Sequence, residues 1–200
     1  DDTVTGAPVV ISGCTVRNYT NRLVYVSLSG KIESLTIDDC IFIGADNSTT
    51  NKAIYASSAH TQVETLSVTN STFLNFNTGS NYFFRINCGE ELVLMPVVLI
   101  DHCTFYNCYD RRGVYLYNAG RSTIKNCISA FSERRDDTKS FTAYGDESIV
   151  KNVISYNVDL YGSAPKENII SKNPLFVDAE NGNFQLYKDS PAVGAGDDGS

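Results

Sequence analysis

The chain of 200 residues has no tryptophan, only two histidines, and a shortage of positive charge: 16 lysines and arginines stand against 23 aspartates and glutamates. A net charge of −7 argues against general nucleic-acid binding, which needs a basic surface. No apolar run approaches the roughly 18–20 residues of a membrane-spanning helix. No CxxC pair exists, and His60 and His102 fit no zinc-ligand spacing. Gly-rich phosphate loops, Ser-His-Asp signatures and long amphipathic helical periods are also absent. What is present is a chain 42% hydrophobic, rich in tyrosine and phenylalanine, and long enough for one sizeable core.

One phrase recurs. Val9-Val-Ile-Ser-Gly-Cys-Thr-Val16 returns as Ser34-Leu-Thr-Ile-Asp-Asp-Cys-Ile-Phe42, then as Thr65-Leu-Ser-Val-Thr-Asn-Ser-Thr-Phe73 and Val97-Val-Leu-Ile-Asp-His-Cys-Thr-Phe105. Further copies start at Arg121 and Ser148, and a degraded one at Asn168. Self-similarity at roughly 20–30 residues marks a solenoid. In each copy an apolar, β-rich run leads to one special position: Gly13, Asp39, Asn70, His102, Asn126, Asn152 and finally Lys172. Gly, Asn, Asp and His tolerate the left-handed backbone region, so this column reads as a one-residue bend between two short strands. Lys172 alone departs from it. His102 belongs to this column for its backbone tolerance rather than for catalysis.

A variable loop and a third strand follow each copy: Leu23–Leu28, Ala53–Ser57, Phe83–Asn87 and Gly113–Tyr117, with weaker members at Phe141–Tyr144 and Val158–Tyr161. Alternation puts Val24, Val26, Ile54, Ala56, Phe84, Ile86, Val114 and Leu116 on the core face. Tyr25, Tyr55, Arg85 and Tyr115, followed by Ser27, Ser57, Asn87 and Tyr117, take the other face. Three short strands per turn predict an all-β, right-handed, single-stranded parallel β-helix of about six coils. Residues 1–200 read as one such domain, with 173–200 as a terminal coil and cap. The small apolar run Pro191–Gly196 is expected to fold over the open end of the core. The repeat starts almost at residue 1 without a cap, so further domains or coils are expected before it.

Four of six cysteines (Cys14, Cys40, Cys103, Cys127) share one repeat column. They are expected to be reduced and buried as small hydrophobes, because the parallel Cβ vectors of a ladder oppose disulfide geometry.

The ending, with Asn173-Pro-Leu-Phe-Val-Asp178, Asn181-Gly-Asn-Phe-Gln-Leu186 and Asp189-Ser-Pro-Ala-Val-Gly-Ala-Gly196, resembles the closing segment of secreted bacterial β-helix proteins of the pectate-lyase-like superfamily. The whole chain is similar to poorly characterised β-helix domains of Bacteroidetes surface lipoproteins encoded among polysaccharide-utilisation genes. The resemblance implies an extracellular, cell-surface or periplasmic location and a glycan context. It also implies that a polysaccharide lies along the Tyr25–Tyr55–Arg85–Tyr115 face, with Tyr117, Lys52, Arg111 and Arg112 beside it.

Tyrosines offer apolar faces to sugar rings, and arginines pair with carboxylates. The expectation is therefore a non-catalytic module that binds acidic, pectin-like glycans, with no catalytic or metal residues of its own and no cofactor. A polysaccharide lyase, which would bring in Ca²⁺, and a structural or adhesin-like solenoid are the alternatives. Lyase chemistry needs a base and carboxylate neutralisation, for which Arg85, Arg111, Arg112, Lys52 and Lys139 are available. Asp136 and Asp137 form the best acidic cluster, read here as a solvated, internally paired loop.

Overall fold

The structure is a computed structural model that describes residues 6–19, 21–26, 31–45, 52–56, 62–76, 82–87, 96–109, 111–117, 119–134 and 136–200. The first coil holds β1 (Val9–Ser12), β2 (Thr15–Val16) and β3 (Arg22–Val26). The second holds β4 (Lys31–Asp38), β5 (Ile41–Ile43) and β6 (Lys52–Ala56). Next come β7 (Gln62–Thr69), β8 (Thr72–Leu74) and β9 (Phe84–Asn87), then β10 (Val97–Asp101), β11 (Thr104–Tyr106) and β12 (Val114–Tyr117). In the last coils the first two strands merge, giving β13 (Arg121–Ala130), β14 (Lys139–Ala143), β15 (Ile149–Tyr156), β16 (Asp159–Tyr161) and β17 (Lys166–Ile170). A short hairpin, β18 (Phe176–Asp178) and β19 (Asn183–Leu186), ends the chain.

Coil-to-coil pairing is parallel throughout, and it keeps its register except between β14 and β16, where it shifts between Lys139 and Thr142. Ile11, Ile37, Val68, Ile100, Ile124 and Val150 stack in one column. The third strands form a separate six-stranded sheet in the order β16-β14-β12-β9-β6-β3. This is the expected all-β parallel solenoid. Ile54, Ala56, Phe84, Ile86, Val114 and Leu116 are buried as their alternation requires, and Val24 and Val26 pack against the same core. Phenylalanines fill its middle: Phe42, Phe73 and Phe105 lie in one register column, and Phe76, Phe83, Phe84 and Phe141 close around them.

The bend column is left-handed as expected, with φ between 51° and 62° at Gly13, Asp39, Asn70, His102, Asn126 and Asn152. Its last member is corrected. Asn168, with φ 49°, takes the position assigned to Lys172, because β17 pairs with β15 four residues earlier than the degraded repeat suggested. The side chains also form a ladder. Asn168 Nδ2 donates to Asn152 Oδ1 (3.0 Å), and Asn152 Nδ2 donates to Asn126 Oδ1 (3.3 Å). A second bend, not foreseen, follows the second strand in four coils: Asn18, Asn75, Asn107 and Asn157 have φ of 52–59°.

Replacing Asn152 by valine is expected to destabilise the protein by about 1–3 kcal/mol, since a β-branched residue is strained at positive φ. Glycine should cost less, losing only ladder hydrogen bonds of about 0.5–1.5 kcal/mol each. Thermal melts check this; equal melting temperatures for the two variants would show that the backbone bend is not what Asn152 supplies.

Cys40, Cys103 and Cys127 are buried free thiols, as expected, but Cys14 is exposed. Each thiol bonds the carbonyl two residues before it, across the bend: Ser12, Asp38, Asp101 and Lys125 are the acceptors. Ser71 fills the same column and does the same with Thr69. Cys14 lies in the first coil of the stack, and the sheet edge it occupies has no preceding strand among the described residues. Burial pushes the Cys40 and Cys127 thiols up, away from the reactive thiolate. Brief alkylation of the folded protein, read site by site by mass spectrometry, is expected to label Cys14 well ahead of Cys40, Cys103 and Cys127. Labelling of all four at one rate would contradict this packing.

The C-terminal segment departs from expectation. The run Pro191–Gly196 does not close over the end of the core. Ala192, Ala195 and Gly196 lie beside His102, Cys103, Asn126, Cys127 and Asn152, on the flank of the solenoid.

Candidate functional site

The six-stranded sheet carries the candidate site on its outer face. Register places Tyr25, Tyr55, Arg85, Tyr115, Thr142 and Tyr161 in one column. Arg22 and Lys52 pair in a second column, and the same register carries it through Tyr82 and Arg112 to Lys139. Each of the first four coils thus bears one cation and one tyrosine three residues apart: Arg22 with Tyr25, Lys52 with Tyr55, Tyr82 with Arg85, Arg112 with Tyr115. The third coil has them in reverse order, which is why Tyr82 was not expected.

The reversal builds the centre of the site. Arg85 is half-buried and points outward. Its Nη1 donates to the hydroxyls of Tyr82 (2.7 Å) and Tyr55 (3.1 Å). Its guanidinium carbon lies 4.5 Å from the centre of the Tyr82 ring. Arg22 sits 4.1 Å over Tyr25 and 4.7 Å from Tyr55. Arg112 sits 4.8 Å over Tyr115. At such distances the ring quadrupole attracts the cation and holds it in place. The Nε atoms of Arg22 and Arg85 are buried with no hydrogen-bond partner. Lys52 lies 5.6 Å from the Tyr55 ring centre and 5.7 Å from that of Tyr82.

Tyr115 requires a correction. It was expected as an open sugar platform, yet it is only 6% exposed. Tyr82 stacks against it at 5.4 Å and 13°, and Tyr117 at 5.8 Å and 3°. Tyr144 meets both Tyr115 and Tyr117 edge-on. Covered by these rings and by Arg112, Tyr115 is the floor of the strip rather than its surface. Burial raises its phenol pKa above the ordinary value, against the opposing effect of Arg112. Among the described tyrosines of this face, Tyr25 (51% exposed), Tyr117 (37%) and Tyr161 (56%) are the open rings. Ser27 and Ser57, expected on the same face, lie outside the described residues, as do the loops 46–51 and 77–81.

Arg111 and Arg112 are exposed and open onto a pocket of ≈ 400 Å³ shared with Asp136, Asp137, Lys139, Tyr144 and Tyr161. Their backbone is fixed by Gly113. With φ 55° it lies so close to the next coil that a Cβ would fall 2.2 Å from the Lys139 carbonyl oxygen. Buried Thr142 donates its hydroxyl to the Arg112 carbonyl (2.9 Å). The acidic loop is internally paired, as expected: Arg134 bridges Asp136 (3.0 Å) and Asp159 (2.9 Å), and Lys139 approaches Asp159 (3.5 Å).

These carboxylates do not fit a Ca²⁺ site. Calcium needs several convergent oxygens, whereas Asp136 and Asp159 are turned to Arg134. Among the described residues no three His, Cys, Asp or Glu side chains form a metal-ligand cluster. Among the described residues no helix is long and apolar enough to cross a membrane.

With this geometry in view, comparison with known proteins adds one match. Residues 1–76 match the model of a domain of unknown function, DUF4957. The matched stretch carries Arg22, Tyr25, Lys52 and Tyr55, and the cation–tyrosine pairing continues beyond it into the next two coils. No curated protein matches the chain.

Proposed function

We propose that this chain binds an extended acidic polysaccharide along the outer face of its six-stranded sheet, without transforming it. One observation carries the reading. On a chain of net charge −7, the guanidinium groups of Arg22, Arg85 and Arg112 lie on tyrosine faces and make no ion pair with a carboxylate among the described residues. Cations held in place by rings and left without acidic partners suit anions that come from outside the molecule. Stacked coils repeat every 4.8 Å or so, which spreads contacts along a linear ligand. The resemblance of the closing segment to pectate-lyase-like β-helix proteins supports the same ligand class. On that resemblance alone we also propose an extracellular, cell-surface or periplasmic location.

The pocket at Arg111, Arg112 and Lys139 favours a second reading, a polysaccharide lyase. It gathers cations that would neutralise a uronate carboxylate, and Lys139 would stand as the base. Affinity electrophoresis in gels containing acidic or neutral polysaccharides separates the two. Retardation by polygalacturonate, weaker retardation by its methyl ester, and no new absorbance of unsaturated uronides are the expected results. Rising absorbance would replace binding by the lyase. Equal mobility in every gel would leave a structural solenoid.

A further inference from the structure

The second strands of the second, third and fourth coils, β5, β8 and β11, carry large apolar side chains on both faces. Phe42, Phe73 and Phe105 point into the core. Their neighbours Ile43, Leu74, Tyr106, Ile128, Ala130 and Tyr156 form a separate apolar cluster on the outer side. A solvated sheet face alternates apolar with polar, so this stripe requires a cover. The C-terminal hairpin is that cover: Phe184 packs 5.6 Å and Phe176 6.2 Å from the Tyr106 ring. Tyr106 donates its hydroxyl to Glu180 (2.6 Å).

The far end of the segment is fastened by charge. Asp197 accepts from Asn126 Nδ2 (2.8 Å), and its carboxylate meets Lys125 (3.2 Å) and Lys151 (3.1 Å). Asp101 stands behind Lys125 at 3.3 Å. Asp198 meets His102 Nε2 at 3.1 Å, and His102 Nδ1 meets Asp101 at 2.8 Å. The main chain of the segment bonds differently from that of the coils. β18 pairs only with β19, and the amides of Tyr187, Ser190, Val193 and Ala195 donate within the segment. Among the described residues no backbone-to-backbone bond ties residues 174–200 to the coils. The segment is attached by one apolar patch and one charged fastening.

We propose that residues 174–200 are a detachable strap, which opens as a unit of its own and bares an apolar stripe on the flank while the coils stay folded. Segments that share few backbone bonds with their neighbours open below the global unfolding free energy. The fastening has a defined pH sense. Asp197 is held well below the ordinary carboxylate range, first by Asn126 and then by Lys151 and Lys125, and Asp198 is lowered by Ser200. A lowered carboxylate contributes fully above its unfolded pKa of about 3.9, and the contribution is lost as pH falls through the lowered value. Lys125 is raised, chiefly by Asp197, so its contribution is complete below about 10.4 and is lost above that. The strap therefore stays closed through neutral pH, and acid is the releasing side.

Native-state hydrogen exchange tests this on the full chain. Asp197→Lys sets a third positive charge against Lys125 and Lys151. It is expected to lower protection of the Tyr187, Ser190 and Val193 amides at least tenfold while Thr104 and Ile128 keep theirs. Asp189→Lys, the same charge change at an exposed position, should leave the strap unchanged. If Asp197→Lys does not fold, the wild type at pH 6 and pH 2 gives the same answer. The strap amides should lose protection at pH 2, with dye binding to the bared stripe, before the β-sheet circular dichroism is lost. Strap and coil amides exchanging together, or strap protection unmoved by both treatments, would overturn the proposal.

Discussion

Replacing Phe73 by alanine is expected to destabilise the solenoid by about 3–5 kcal/mol, the usual cost of emptying a buried aromatic position. Phe73 has no exposed surface. Its ring stacks on Phe105 at 4.9 Å and 8°, tilts against Phe42 at 5.2 Å, and reaches Phe76, Phe83 and Phe84 at 6.2–6.4 Å. Five phenylalanines therefore lose a neighbour at once. Collapse around the gap is opposed because these rings sit on backbones fixed by coil-to-coil pairing. For a chain of this size the loss corresponds to roughly 6–20 °C in melting temperature. The outer-face substitution Tyr117→Ala should cost less, since Tyr117 is partly exposed and gives up only its ring contacts with Tyr115 and Tyr144. Denaturant unfolding of the two variants checks the contrast. A Phe73→Ala loss below about 1 kcal/mol would mean that the core tolerates cavities and does not depend on this ring stack.

The largest expected effect on binding is at Arg85. Arg85→Ala should weaken retention by an acidic polysaccharide by about 1.5–3 kcal/mol, the range for a hydrogen bond to a charged group. That is roughly ten- to over a hundredfold in affinity. It should also remove the preference for acidic over neutral polymers. Added salt should weaken the wild type more than the variant, because screening acts on the charged contact. Arg85 also holds the hydroxyls of Tyr55 and Tyr82, so its loss removes two hydrogen bonds within the strip as well as one charge. The Tyr55→Phe variant isolates the second effect and should cost at most a few-fold. Tyr25→Ala should give a modest, nearly salt-independent loss. Tyr115→Ala is expected to lower stability more than affinity, because that ring is the buried floor of the strip. Unchanged affinity and salt response in Arg85→Ala would return the tyrosines to a purely structural role.

Much of this was legible in the residues because a β-solenoid is written in local terms. The one-residue bend selects Gly, Asn, Asp or His wherever it occurs, and period-two alternation assigns core and outer faces within each strand. The second bend was also legible. Asn18, Asn75, Asn107 and Asn157 each stand five residues after the first bend of their coil. Gly44 and Phe131 interrupt that column, and Asn is common enough in loops to hide it. The pairing of a cation with a tyrosine three residues away was written in four coils, and its reversal at Tyr82 and Arg85 disguised it.

What the sequence by itself determined was therefore the coil: its strands, its first bend, its core face and the outward columns of tyrosine and cation. The tertiary structure alone decided which neighbour each of these meets. Asn168 rather than Lys172 closes the bend ladder because β17 pairs in register with β15, and the repeat itself had become too weak to fix that register. Tyr115 is buried, though its strand position points outward, because Tyr82, Tyr117 and Arg112 converge on it from adjoining positions. Cys14 is exposed while its column mates are buried, because burial in a ladder depends on what is stacked on either side. The strands β5, β8 and β11, with large apolar side chains on both faces, left open what covers the outer one. Only the returning C-terminal segment, many coils away in sequence, settles that, since burial is a property of the assembled surface and not of the strand that carries it.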